Sequence, residues 1–305
     1  MTLPPLVHNP TYSFDFDPRH RFPMEKFSLL HSYLQESGHI TSKNLFRPGK
    51  CRQDILAGAH CPNYIDRFSH NQLDRQELRR LGLPWSAGLV HRSWIAPNGT
   101  LLTAQLALRY GLACHLAGGT HHAHREFGSG FCVFNDLAVA ATAMVERQQV
   151  KKVLIFDCDV HQGDGTASIL SDQKRVFTCS IHAEKNFPAR KALSDLDVPL
   201  PSGMGDTDYL HTVEQTLVGL LESVKPELVL YDAGVDIYCD DPLGLLNISL
   251  AGIRERDRVV IQACLDRGVP VATVIGGGYD RDRPALVRRH AMVIEEACRL
   301  YPQIG

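Results

Sequence analysis

The chain has 305 residues, 44% of them hydrophobic, enough apolar material for one large α/β domain or two smaller ones. Its 32 basic and 34 acidic side chains leave a formal net charge of −2, which, with no long basic run, argues against direct nucleic-acid binding. No apolar stretch approaches the ~20 residues of a membrane span, the first nine residues lack a leader pattern, and nine scattered cysteines without a CxxC pair fit a reduced, cytoplasmic protein better than a disulfide framework or a cysteine zinc knot.

In chain order, residues 23–38 predict a first helix, with proline near its start, Phe27, Leu30 and Leu34 at helical spacing, and glycine as the stop. Residues 39–102 read as a long irregular segment and 103–110 as a short helix. Residues 112–116 read as a strand running into Gly118-Gly119. Residues 135–148 form an alanine-rich helix with Asn135 as its N-cap. Further strands are expected at 153–156, 176–181, 228–231 and 271–275, and helices at 208–224, 254–267 and 284–300. A second irregular segment covers 183–207. The alternation implies βαβ units, hence an α/β fold with a mainly parallel central sheet flanked by helices on both faces. No repeat or interdomain linker interrupts it, so a single domain over residues 1–305 is expected.

The ends of these strands carry the reactive groups. The first leads to Gly118-Gly119-Thr120-His121-His122-Ala123-His124, the second to Asp157-Cys158-Asp159-Val160-His161-Gln162-Gly163-Asp164-Gly165. The strand at 176–181 ends at His182. The strand at 228–231 gives Asp232-Ala233-Gly234-Val235-Asp236, and the last gives Gly276-Gly277-Gly278-Tyr279-Asp280. Parallel strands bring such ends to one rim, where ligands bind in α/β sheets. Asp159 and His161 are two residues apart, so on extended backbone their side chains leave the same face and make half of a zinc site. Asp236 supplies a third ligand and leaves one position open, as catalytic zinc requires. Each block has a plainer reading: an acidic turn capping a helix, solvated histidines, a helix-capping Asp236. The glycines fit neither a P-loop, since no GKS or GKT follows, nor a GxGxxG fingerprint, which lacks its third glycine.

These four blocks, in this order, resemble the signature blocks of zinc-dependent histone deacetylases, within the arginase/deacetylase fold. Supporting stretches are Gly130-Phe131-Cys132-Val133-Phe134-Asn135-Asp136, Val198-Pro199-Leu200-Pro201 and Asp241-Pro242-Leu243-Gly244. The likeness spans roughly residues 8–300 and looks most like the class IV branch and bacterial histone deacetylase-like amidohydrolases. It implies one catalytic Zn2+ on Asp159, His161 and Asp236. His121 and His122 would lie beside the reacting water, held by Asp157 and Asp164 respectively. Tyr279 would reach the substrate carbonyl. Phe131 and Phe187, with Gly130 and Gly277, would form the acyl-lysine tunnel. Asp157, Asp159, His161, Ser180 and Ile181 would form a structural K+ or Na+ site. His122 is the expected general base, then the acid toward the leaving amine; His121 would supply electrostatics and a hydrogen bond.

The implied activity is hydrolysis of acetyl or longer acyl groups from the ε-amine of lysine in proteins or peptides. Deacetylation of acetylpolyamines, small acylated amines, is the alternative within the same chemistry. A non-catalytic acyl-lysine binding module is the non-enzyme alternative, although Tyr279 and all three ligands are present. Arginase-like chemistry lacks a ligand, because Gly163 stands two residues after His161. The family's acidic rim residue is also missing: residues 85–99, taken as the rim loop, contain no Asp or Glu, and Asp66 is a candidate substitute.

Overall fold

In the computed structural model, which describes residues 2–304, the apolar run Val153–Asp157 is buried at every position. A strand buried on both faces needs helices on both sides, and the sheet is built accordingly. Met1 and Gly305, the outermost residues of the expected domain, lie outside the described residues. The first elements are β1 (Leu6–Val7), α1 (Lys26–Glu36), β2 (Leu45–Phe46), α2 (Gln53–Ala59), α3 (Pro62–Ser69), α4 (Arg75–Leu81) and α5 (Ala87–Tyr110). There follow β3 (Leu112–His115), α6 (Asp136–Glu146), β4 (Val153–Asp157), α7 (Asp164–Leu170), β5 (Val176–Ala183) and β6 (Leu196–Leu200). The chain continues through α8 (Asp206–Val224), β7 (Leu228–Asp232), α9 (Leu250–Asp266), β8 (Val271–Val274) and α10 (Arg283–Leu300).

The eight strands form one sheet in the order β2-β1-β3-β8-β7-β4-β5-β6, every pair parallel. Helices α2, α5 and α6 pack together, and α1, α8, α9 and α10 form a second packed group. These are the two layers that bury the sheet's faces. Register places Asp157 of β4 opposite Ser180 of β5 on one side and Asp232 of β7 on the other. All parallel, the strands deliver their carboxyl ends to one edge. No helix among the described residues is long and apolar enough to cross a membrane.

The structure corrects the irregular segment expected at 39–102. It holds β2, α2, α3, α4 and most of α5. Helix α5 runs straight through Pro97-Asn98-Gly99, which reads locally as a break. Ser86 caps its start by accepting from the Leu89 N–H, and burial of Trp94, Ile95, Leu101 and Ala104 outweighs the poor local propensity. Helix α4 carries a legible start signal that the reading passed over: Asp74 and Glu77 form a reciprocal capping box. The second irregular segment, 183–207, contains edge strand β6. Its Pro199 disguises it, yet proline is tolerated there because only β5 pairs with it.

Candidate metal centre and active site

Three ligand atoms, from Asp159, His161 and Asp236, lie within 4.8 Å of one another at the ends of β4 and β7. The backbone holds them in place. Asp159 Oδ1 accepts the His161 N–H at 3.0 Å, and its Oδ2 accepts the Gly277 N–H at 2.7 Å. Asp236 Oδ1 accepts the Val160 N–H at 3.0 Å. The other oxygen, Asp236 Oδ2, is buried without a hydrogen bond and sits 3.2 Å from His161 Nδ1. A Cβ at Gly277 would overlap both Asp236 Oδ2 and Asp159 Oδ2, so only glycine lets the backbone close over the two carboxylates.

The charge balance shows what the trio accepts. Burial disfavours a charged His161, yet Asp159 and Asp236 outweigh it and raise its pKa to about 10. Burial and the nearby Asp159 raise that of Asp236. Two buried carboxylates against one imidazole call for a cation. The unpartnered Asp236 oxygen, the closely packed Gly277 and the O,O,N donor set together fit a zinc ion with an open fourth position.

Beside this trio, each of two histidines has its own carboxylate. His121 Nδ1 is 2.8 Å from Asp157 Oδ2, and His122 Nδ1 is 2.6 Å from Asp164 Oδ1. With both Nδ1 atoms on carboxylates, both Nε2 atoms face the site, 3.1 Å apart. One proton suffices between them. Burial works against a charged His121, but Asp157 and Asp159 hold its pKa well above the usual range. Burial and the adjacent His121 push that of His122 down to about 3 despite Asp164. His122 is thus the neutral ring of the pair.

Several residues that support this floor were not singled out from sequence. Asp164 Oδ2 also binds His124 Nε2 at 3.0 Å. The carboxylate of Asp136 accepts the Gly119 and Thr120 N–H groups and both the Thr100 and Thr120 hydroxyls, pinning the loop that ends in His121-His122. Asp241 Oδ2 accepts the Tyr279 N–H at 2.7 Å. Lys26 is buried, its Nζ 3.2 Å from the Gly276 carbonyl and 3.1 Å from His290 Nε2. Asp232 groups with His121 and Asp157, both its carboxylate oxygens buried and unpartnered. Asp136, Asp232 and Asp241 sit inside blocks the sequence flags; Lys26 gives no local signal, since it looks like an ordinary first-turn helical lysine.

The way in is walled by aromatics. Phe187 is 42% exposed, and its ring lies 4.8 Å from that of His122. Phe131 adopts φ +67° after Gly130 at +53°, and its ring lies 5.9 Å from Tyr279. A side chain on Gly130 would strike the His122 ring. These groups, with His161 and Tyr279, line one cavity of about 330 Å³. Burial first, then Asp236 and Asp159, push the Tyr279 phenol well above its ordinary pKa, so it keeps its proton and can donate.

Of the remaining expected residues, Ser180 and Ile181 follow each other on β5 beside Asp157, and all five of the cation set are buried. Ser180 Oγ lies 3.1 Å from His182 Nδ1, so His182 turns to its own strand and does not join the histidine pair. Asp66 is not brought to the mouth: it pairs with His70 on the surface of α3, 3.1 Å away. Residues 87–99 belong to buried helix α5, so the rim is built elsewhere.

Residues 20–295 match the family model described as histone deacetylase domain. An uncharacterized protein of Picosynechococcus sp. is 48% identical over 97% of this chain and 99% of its own length. Histone deacetylase 2 of Arabidopsis thaliana is 29% identical over 90% of this chain and 74% of its own. Acetoin utilization protein AcuC of Staphylococcus aureus is 29% identical over 79% and 68%. Among solved structures, an HDAC homolog complexed with SAHA superposes with a TM-score of 0.84 at 24% identity, covering 97% of this chain and 84% of that one.

Proposed function

This chain belongs to the histone deacetylase family, and from that membership we propose that it is a zinc-dependent amidohydrolase removing acyl groups from the ε-amine of lysine. The observation that carries the reading is the histidine pair, each ring oriented by its own buried carboxylate, beside the Asp159, His161 and Asp236 trio. A binding module would need neither a proton relay nor a phenol held protonated at the cavity wall.

Asp159, His161 and Asp236 would hold the zinc ion, which would supply Lewis acidity toward the amide carbonyl and water. His122 Nε2, neutral and facing the site, takes the proton as water oxygen bonds to the carbonyl carbon. Asp164 keeps that ring in the tautomer whose free nitrogen points at the water. His121, carrying positive charge from its contact with Asp157, donates a hydrogen bond and offsets the charge that develops. The Tyr279 phenol donates to the carbonyl oxygen as negative charge accumulates there. His122 then returns the proton to nitrogen as the C–N bond breaks, giving a carboxylic acid and the free amine. Phe131 and Phe187 exclude water from the acyl chain on the way in.

Asp157, Asp159, His161, Ser180 and Ile181 are proposed as a structural K+ or Na+ site, supported by the β4–β5 register. The test of the whole reading is metal content with hydrolysis of a fluorogenic acyl-lysine peptide. The wild-type protein should hold one zinc per chain and turn the peptide over. Asp236→Ala should lose both, while remaining folded by circular dichroism. Full zinc occupancy in that variant removes Asp236 from the ligand set.

A further inference from the structure

The chain as a whole is slightly acidic, yet the mouth of its site is not. Six arginines, Arg19, Arg21, Arg79, Arg80, Arg281 and Arg283, line two cavities that share Arg21, Leu243 and Tyr279; among the described residues the acidic side chains lining them are Glu25 and Asp280. Both acids are already neutralised. Glu25 binds Arg283 at 2.8 Å, and Asp280 binds Arg289, behind the rim, at 2.6 Å. Arg19 is paired with Asp17 at 3.1 Å. Arg21, Arg79, Arg80 and Arg281 are exposed and form no ion pair among the described residues; Arg80 lies 4.3 Å from the Phe127 ring and also lines a side cavity that contains Glu77 and Glu126.

These four are placed by the tunnel wall itself. The Arg80 carbonyl accepts the Gly130 N–H at 3.3 Å, and the Leu81 carbonyl accepts the Phe131 N–H at 2.8 Å, so the end of α4 is stitched to the tunnel loop. Arg21 precedes Phe22, whose ring lies 5.7 Å from that of Phe131. Arg281 follows Tyr279 by two residues. Arginines from three separate segments therefore line the entrance.

We infer that this mouth selects acylated amines flanked by carboxylates, and specifically acyl-lysine within an acidic peptide segment. The inference rests on the deacylase reading of the floor and names the substrate class for it. An arginine fork matches a carboxylate with two parallel hydrogen bonds. The second cavity, about 780 Å³ along residues 18–21 and 281–283, gives room for residues beside the lysine. A polyamine or a lysine-rich segment would meet four unpaired positive charges, which is the arrangement that rejects a wrong partner. Exposed pairs contribute little individually, so the field should act mainly on association and depend on salt.

The experiment uses the metal-loaded full chain and peptides of equal length with one acetyl-lysine flanked by glutamates, serines or lysines, together with an acetylated polyamine and the dipeptide acetyl-lysyl-glutamate. Binding is read by competition against a fluorescent acidic peptide, and kcat/KM separately. Acidic should exceed serine-flanked, and serine-flanked exceed lysine-flanked, by about tenfold per step at low salt, the spread shrinking at 0.5 M NaCl (estimates from). The double reversal Arg21→Glu with Arg79→Glu, both at exposed positions, should invert the binding order. A dipeptide equal to the acidic peptide would identify small acylated amino acids as the source of the carboxylate and overturn the peptide assignment. Equal binding of the three peptides, or preference for the lysine-flanked one or the polyamine, overturns the inference. If the acidic peptide binds best but nothing is hydrolysed, the mouth assignment stands and the deacylase reading of the floor fails.

Discussion

The floor of the site and its mouth are built in opposite ways. On the floor the polar groups are buried and held by close neighbours, Asp159 by the His161 and Gly277 N–H groups, Asp236 Oδ1 by Val160, His121 and His122 by carboxylates, while Asp236 Oδ2 and the Asp232 carboxylate are buried without a partner among the described residues. At the mouth arginines outnumber acids, and four exposed arginines form no ion pair among the described residues. Over-determination holds reacting atoms to within fractions of an ångström, whereas a solvated rim acts through its field and can change without disturbing the chemistry. The floor therefore speaks for the reaction and the mouth for the partner.

The largest effect should come from His122. His122→Ala removes the neutral ring and should lower kcat on the order of 10³- to 10⁴-fold, with zinc retained. His121→Ala should be milder, roughly 100-fold, because the lost group offsets charge and does not relay the proton. Turnover kinetics and metal analysis on both proteins decide this. A dead His121→Ala beside an active His122→Ala would reverse the assignment.

Tyr279 stands where floor and mouth meet: its phenol belongs to the first, its chain neighbour Arg281 to the second. Loss of one oxyanion donor costs about 100- to 1000-fold in turnover, so Tyr279→Phe should lower kcat by that factor with little change in KM. A change confined to KM would move Tyr279 to the mouth. The preference among acidic, neutral and basic peptides should survive this substitution, since the arginines are untouched.

How much of this was legible in the sequence follows the same division. Strand ends, the D-x-H pair, Asp236 and the glycines before Tyr279 are short, contiguous signals, and register alone carries them to one edge. Arg79, Arg80 and Arg21 lie in stretches without apolar periodicity, and their meeting at Phe131 depends on how α4 docks, which no local pattern encodes. The Pro97-Asn98-Gly99 break hid α5 for the same reason: burial of its whole length decides its conformation. Lys26 reaches Gly276 across 250 positions of chain, a contact only the packed fold creates.

The smallest predicted effect concerns the scaffold beneath the floor. His60 is buried between the loop that carries His121, His122 and His124 and the start of α6: its Nδ1 donates to the His124 carbonyl at 3.0 Å, and its Nε2 accepts the Asn135 N–H at 2.8 Å. Both nitrogens are committed, so a second proton would break the bond to Asn135, whose side chain in turn donates to the His121 carbonyl. Burial lowers its pKa from 6.5 to about 3. The unfolded chain therefore binds the proton first as pH falls, and the stability contributed by the neutral ring is complete above pH 6.5 and lost progressively below it. Between pH 7 and pH 5 that loss amounts to about 2 kcal/mol for one group. Acid also weakens metal binding and charges other histidines, so the quantity to measure is the difference between wild type and His60→Gln, whose amide can still donate and accept without titrating. Unfolding by urea should show wild-type stability falling more steeply by that amount, although His60→Gln starts lower at pH 7. Parallel pH dependences for the two proteins would mean that His60 does not hold the floor through its neutral ring.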